Sequence, residues 1–117
     1  MDNYNVILVK SKNFALRIIK LYRYLVENHR ISPISNQILK SGTSIGANIR
    51  EAIRAQSKPD FYSKMNISLK ESDETAYWLE LLYESGYITK EQFDSIYSDC
   101  QEILKILVSI TKTQKNS

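Results

Sequence analysis

Apolar residues along this chain recur at alternating steps of three and four, and the rhythm is broken at three short stretches, "NHRISP", "QSKP" and "SGYIT". Such spacing draws one continuous stripe along a helix. From about Asn5 to Asn28 the stripe is Ile7, Ser11, Phe14, Ile18, Leu21 and Leu25. A second helix is predicted from Ser32 as N-cap, with Pro33 at its first position, to about Ala55, carrying Ile38, Gly42, Ile45, Ile49 and Ile53 on one face.

The third helix starts at Ser57, with Pro59 in its first turn and Asp60 three residues after the cap. Tyr62, Met65, Leu69, Ser72, Ala76, Leu79 and Tyr83 keep its rhythm until Gly86, a residue suited to the left-handed position that ends helices. Thr89 and Gln92 form a second capping box ahead of a fourth helix, whose buried face is Phe93, Ile96, Tyr97, Cys100, Ile103, Leu104, Leu107 and Ile110. Short connections make successive helices antiparallel neighbours. The expected fold is therefore all-α, an up-down-up-down antiparallel four-helix bundle over residues 1–112, followed by a disordered tail, "TQKNS", at 113–117.

One stretch inside the second helix, "SGTSIGANIREA", is poor helix material. Each glycine in a helix interior gives up about 1 kcal/mol relative to alanine, so Gly42 and Gly46 together weaken the segment by roughly 2 kcal/mol. Four residues apart and beside the isoleucines, they let a neighbouring backbone approach closer than the usual separation of about 8–10 Å. Their presence exchanges intrinsic propensity for contact.

That stretch also carries a resemblance. Gln37, Ser41, Ser44, Ile45, Asn48, Ile49 and Glu51, continued by "AQSKPDFYSKMNISLKESDETAYWLELLYESGYIT", resemble the "four helix bundle protein" family, whose members are often labelled ribosomal-RNA intervening-sequence proteins. The S-I-x-x-N-I-x-E and E-x-x-E-x-x-Y-W-L patterns carry the match from Gln37 to Thr89; helices 1 and 4 match in character only. The resemblance implies an up-and-down bundle assembled as a ring-like homopentamer. It also implies kinship with the accessory variability determinant protein of diversity-generating retroelements, a basic pentamer that engages nucleic acid and a reverse transcriptase. The chain departs from the family in its short connection "NHRISPIS" and in Gly46, where members often carry Pro or Ala. The label describes where the genes lie rather than an activity.

Composition narrows the function from the other side. No apolar run approaches the roughly 20 residues of a membrane span, a single cysteine excludes an internal disulfide, and "MDNYNVILVK" does not read as a secretory leader. A bacterial, cytoplasmic protein without a membrane partner is expected. A di-iron centre in a bundle needs Glu-x-x-His pairs, but His29 is the one histidine and Val26 stands three residues before it. With Cys100 on an apolar stripe and no strand-borne glycine loop, no metal, cofactor or catalytic residue is expected, and the chain reads as a non-enzyme.

Charge is unevenly placed. Residues 1–58 hold ten Lys/Arg against three Asp/Glu, and residues 59–117 hold six against ten. Such asymmetry fits either helices complementing one another or an anionic partner. Helix 1 (Lys10, Lys12, Arg17, Lys20, Arg23) and a flank of helix 2 (Lys40, Arg50, Arg54) are the candidate surface for RNA or DNA, bound without strong sequence preference. Ser44, Asn48 and Glu51 on helix 2, with Glu71, Glu74 and Trp78 on helix 3, form either a solvated face or a partly buried polar network that fixes register or joins subunits. Phe61, Ile67, Trp78, Leu81 and Leu82 give helix 3 a second apolar band, which reads as a subunit interface or as a wide core stripe. Two functions remain: an oligomer, expected to be a homopentamer, that binds nucleic acid, or a structural or protein-binding module with an unknown protein partner.

Overall fold

The computed structural model describes residues 4–115, and within them the rhythm resolves into α1 (Asn5–Tyr24), a wider π-type turn (Leu25–His29), α2 (Pro33–Ile53), α3 (Lys58–Glu84) and α4 (Lys90–Lys115). Each helix packs on its neighbours in sequence, and α1 closes the bundle against α4. The body measures 46 × 21 × 20 Å, a length that follows from helices of 20 to 27 residues rising about 1.5 Å per residue.

The boundaries follow from local chemistry. Ser57 Oγ accepts from the Asp60 amide at 3.2 Å. Thr89 and Gln92 cap reciprocally: the Gln92 amide donates to Thr89 Oγ1 at 3.1 Å and the Thr89 amide to Gln92 Oε1 at 2.8 Å. Gly86, at φ +85°, ends α3 in a Schellman turn, with the Tyr87 amide on the Leu82 carbonyl and the Gly86 amide on that of Tyr83. Two ends differ from the sequence reading. Ser32 does not cap α2 through its side chain; instead its carbonyl accepts from the Asn36 amide and from Ser35 Oγ. The α-helical part of α1 stops at Tyr24, and the widened turn is closed by Arg30 in the left-handed region at φ 53°. At the other terminus α4 runs to Lys115, beyond residue 112; the rest of the expected tail, 116–117, lies outside the described residues.

The core is the stripe, with corrections. Ile7, Phe14, Ile18 and Leu25 meet Ile38, Ile45 and Ile49 across α1 and α2, and Met65, Leu79, Cys100, Ile103 and Leu107 fill the other half. On α3 a strict seven-residue repeat drifts about 20° per heptad on a straight helix, so the core passes from Leu69 and Tyr83, which are half-buried, to Ser68, Thr75 and Leu82, which are buried. Leu82 is thus a core residue and not part of an outer band. Ile53 is 39% exposed, because α2 unwinds just beyond it, the Arg54 and Ala55 amides turning back to the Glu51 and Ala52 carbonyls.

Small hydroxyls knit α2 to α3 inside. Thr75 Oγ1 donates to Ser41 Oγ at 2.8 Å and Ser68 Oγ to the Ile45 carbonyl at 2.8 Å, while Ser72 Oγ turns back to the Ser68 carbonyl at 2.9 Å within α3. Among the described residues no buried side-chain nitrogen or oxygen lacks a partner, as buried polar groups require.

Gly42 explains the helix-poor segment. A Cβ placed there falls 2.7 Å and 2.8 Å from Cγ1 and Cγ2 of the fully buried Ile18. At Gly46 the nearest atom, Ser11 Oγ, is 3.2 Å away. Gly42→Ala is therefore expected to destabilise the bundle by about 1–3 kcal/mol despite alanine's better propensity. Gly46→Ala is expected to be close to neutral. Urea denaturation of the two variants separates these outcomes, and equal stability would show that the α1–α2 contact does not demand glycine at position 42.

Candidate functional site

The expected basic face of α1 is partly used up inside the bundle. Arg17 Nη1 donates to Asp99 Oδ2 at 2.6 Å and to the Ser95 carbonyl at 3.3 Å, while Nη2 reaches Ser95 Oγ at 3.0 Å. Lys10 pairs with Glu102 at 3.1 Å. Acidic residues from the second half of the sequence thus pair with the first where α4 lies along α1, and Lys10 and Arg17, though still partly exposed, would have to give up these pairs to meet a partner. Lys12, Lys20, Arg23, Lys40, Arg50 and Arg54 make no ion pair among the described residues. All but Lys20, Arg23 and Lys40 line one groove.

The six residues assigned to a polar network are not gathered into one. Asn48 Nδ2 donates to the Ser44 carbonyl at 2.9 Å and Ser44 Oγ to the Lys40 carbonyl at 2.6 Å, both within α2. Glu51 is exposed and pairs with Lys64 of α3 at 3.0 Å. Glu74 accepts from Trp78 Nε1 at 3.2 Å, one turn along α3. Glu71 stands beside Glu74, and burial together with the Glu74 charge raises its pKa against the opposing pull of Lys70 and Lys40. The contacts that do fix the α2–α3 register are the buried hydroxyls of Ser41, Ser68 and Thr75, which a search for carboxylates passes over.

The feature that sequence reasoning missed lies between α1 and α2. A groove of about 950 Å³ is floored by Ser11, Ala15, Thr43, Gly46 and Ala47, whose small size follows from the close approach of the two helices. Its walls carry Leu8, Val9 and Ile53, and its rim carries Lys12, Arg50 and Arg54. Val9 is 58% exposed, and the same flank continues along α1 through Leu16 at 52% and Ile19 at 40%. A signal was present: these residues sit off the heptad stripe yet repeat at steps of seven and three, as a second helical face does. On α3, by contrast, the outer band keeps Ile67 and a half-buried Trp78 and Leu81, gains an exposed Tyr77 that the sequence reading did not include, and has Phe61 packed on Tyr4.

Reactive chemistry is suppressed where it is present. Burial pushes the Cys100 thiol up to about 12, and its sulfur faces the Ser72 carbonyl at 3.5 Å. Tyr97 donates to Glu80 Oε2 at 2.6 Å, which raises its own pKa to about 12. His29 is exposed, against Tyr24 Oη at 3.3 Å and edge-on to Tyr87. Among the described residues no three His, Cys, Asp or Glu side chains gather as metal ligands, and no helix is long and apolar enough to cross a membrane.

Comparison with known proteins adds two findings. The family model described as "23S rRNA-intervening sequence protein" matches residues 4–109, so all four helices take part and not only the segment from Gln37 to Thr89. A solved structure of a protein of unknown function from the S23 ribosomal protein family of Bacteroides thetaiotaomicron is 57% identical, covers 91% of this chain and 98% of its own, and superposes with a TM-score of 0.89. No curated protein matches the chain.

The position of Glu71 gives a pH signature. Its raised pKa means that the folded chain holds this proton more tightly than the unfolded chain does. Folding favours the neutral form more than the unfolded chain does, so stability is lost as pH rises through the raised value. Glu71→Gln is expected to melt higher than the parent at neutral pH, with the gap closing in acid below the ordinary Glu range. Glu74→Gln keeps an acceptor for Trp78 and removes the like charge, so it too is expected to match or exceed the parent, whereas a shared buried network would lose about 1–3 kcal/mol. Thermal melts followed by circular dichroism across pH check both, and a lower melting temperature for Glu71→Gln at neutral pH would refute the assignment.

Proposed function

Because the chain belongs to the 23S rRNA-intervening sequence protein family and leaves an apolar flank of α1 in water, we propose that it is a non-catalytic bundle that assembles with copies of itself through the α1–α2 groove. The exposed run of Val9, Leu16 and Ile19 carries the reading. Val9 lines the groove with Ile53, and Leu16 and Ile19 follow along the same flank of α1, an accumulation of exposed aliphatic side chains of the kind that marks an interaction surface. This reading adds a flank of α1 and α2 to the α3 band that the sequence offered as an interface. Five subunits, the number that the resemblance implies, is the assembly proposed.

A second reading concerns nucleic acid. Lys20, Arg23 and Lys40 are exposed, make no ion pair among the described residues, and lie beyond the groove. The register that sets Ile18 against Gly42 brings Lys20 level with Lys40. An assembly repeats these three cations, and repeated weak phosphate contacts sum into useful, sequence-tolerant binding.

Light scattering after size exclusion tests the first reading. The expected mass is a multiple of 13.6 kDa, and Leu16→Glu, whose side chain lies in solvent within one chain, is expected to give a folded monomer. A parent that stays at 13.6 kDa at every concentration removes the proposal. For the second reading, gel shifts of RNA and duplex DNA at about 50 mM salt are expected to be lost when Lys20, Arg23 and Lys40 become Glu. If about 5 phosphates are neutralised, the slope of log affinity against log salt on duplex DNA is expected near −4.5. An intact oligomer that shifts neither leaves self-assembly as the whole of the function.

A further inference from the structure

The self-assembly reading rests on aliphatic side chains and leaves the charge beside them without a task. Lys12, Arg50 and Arg54 line the groove and make no ion pair among the described residues. Across α1 and α2 the one carboxylate is Glu51, and Lys64 of α3 already holds it. Arg50 and Arg54 stand one turn apart on α2 while Lys12 belongs to α1, so positive charge borders the groove from both helices. Between the cations the walls are Leu8, Val9 and Ile53, and the floor carries nothing larger than Thr43. The lining runs over residues 5–15 of α1 and 43–54 of α2, a length of about 15 Å, or roughly three helical turns.

We propose that the α1–α2 groove is a docking site for an acidic amphipathic helix of a second protein. Its apolar stripe lies between Leu8, Val9 and Ile53, and its flanks bring carboxylates to Lys12, Arg50 and Arg54. A trough between two helices with a floor of small side chains is the shape that a third helix fills. Charge selects which helix. A phosphate backbone satisfies the cations but leaves the aliphatic walls in water, and a neutral or basic helix covers the walls while desolvating cations it cannot pair. An acidic amphipathic helix meets both demands. The inference goes beyond self-assembly: the groove holds one occupant at a time, so the partner helix and a second copy exclude each other, and the partner limits how far the chain assembles.

The probe is a fluorescein-labelled synthetic peptide of about 18 residues, long enough to be helical by itself, with leucines at steps of three and four and glutamates on both flanks. A twin carries lysines in place of the glutamates. Titrated by anisotropy into the full-length chain, the glutamate helix is expected to bind and to lower the mass seen by light scattering, and the lysine helix to do neither. Arg50→Glu with Arg54→Glu is expected to weaken binding about tenfold at unchanged helical circular dichroism. Ala47→Trp, which fills the floor from an exposed position and leaves every charge in place, is expected to abolish it. Equal binding of the two helices overturns the proposal, as does a glutamate helix that binds Ala47→Trp as well as the parent, because it then adheres to the cations outside the groove. Duplex DNA that binds parent and Ala47→Trp alike, where the glutamate helix binds neither, assigns the cations to nucleic acid and overturns it too. A monomeric parent that binds the glutamate helix refutes self-assembly and leaves the docking site standing. An oligomer that the glutamate helix does not enter refutes the docking site alone.

Discussion

The contact on which the rest of the arrangement depends is the approach of α2 to Ile18 at Gly42. There is no room for a Cβ at that position, so the two helices lie closer than isoleucine against isoleucine would allow. Ile18, Ile38, Ile45 and Ile49 close the core behind the contact. In front of it, the same closeness leaves Ala15, Thr43, Gly46 and Ala47 as a floor too shallow to bury larger neighbours. Val9, Leu16 and Ile19, on the outer flank of α1, stay largely in water. The interior gain and the exterior groove have one cause.

Charge is arranged on the same principle of adjacency. Asp99 and Glu102 of α4 lie against basic α1 and bind its Arg17 and Lys10, contacts between partly exposed groups that each contribute about 0–1 kcal/mol. Their larger effect is on what remains. Once those pairs are made, Lys12, Arg50 and Arg54 remain unpaired along the α1–α2 groove, within a chain whose net charge is a modest +3.

The fold was legible because its signals are local. Stripes at steps of three and four, the Ser57 cap, the box at Thr89 and Gly86 after α3 each act within a turn or two of themselves and appear in the structure, although at Ser57 the side chain serves the Asp60 amide without the return bond of a box. Ser32 resembled a cap by residue type alone, and the competing bonds of Ser35 beside it were invisible in the spelling. The surface was harder to read. Whether Arg17 faces water depends on Asp99, 82 positions away, and no periodicity within α1 reports that. The carboxylates of α2 and α3 attracted a network reading because charge is conspicuous, while Ser41, Ser68 and Thr75, which do bridge the helices, look like ordinary helix-surface residues until the partner backbone is in place.

The chain's single cysteine has a consequence of a practical kind. Cys100 is fully buried, and its thiol is held in the protonated, unreactive form by the apolar surroundings. Thiol-directed dyes and spin labels will pass it by in the native protein. A cysteine introduced at any exposed position becomes the sole labelling site without first removing the natural one, so distances within and between subunits are measurable on a core that keeps its own packing.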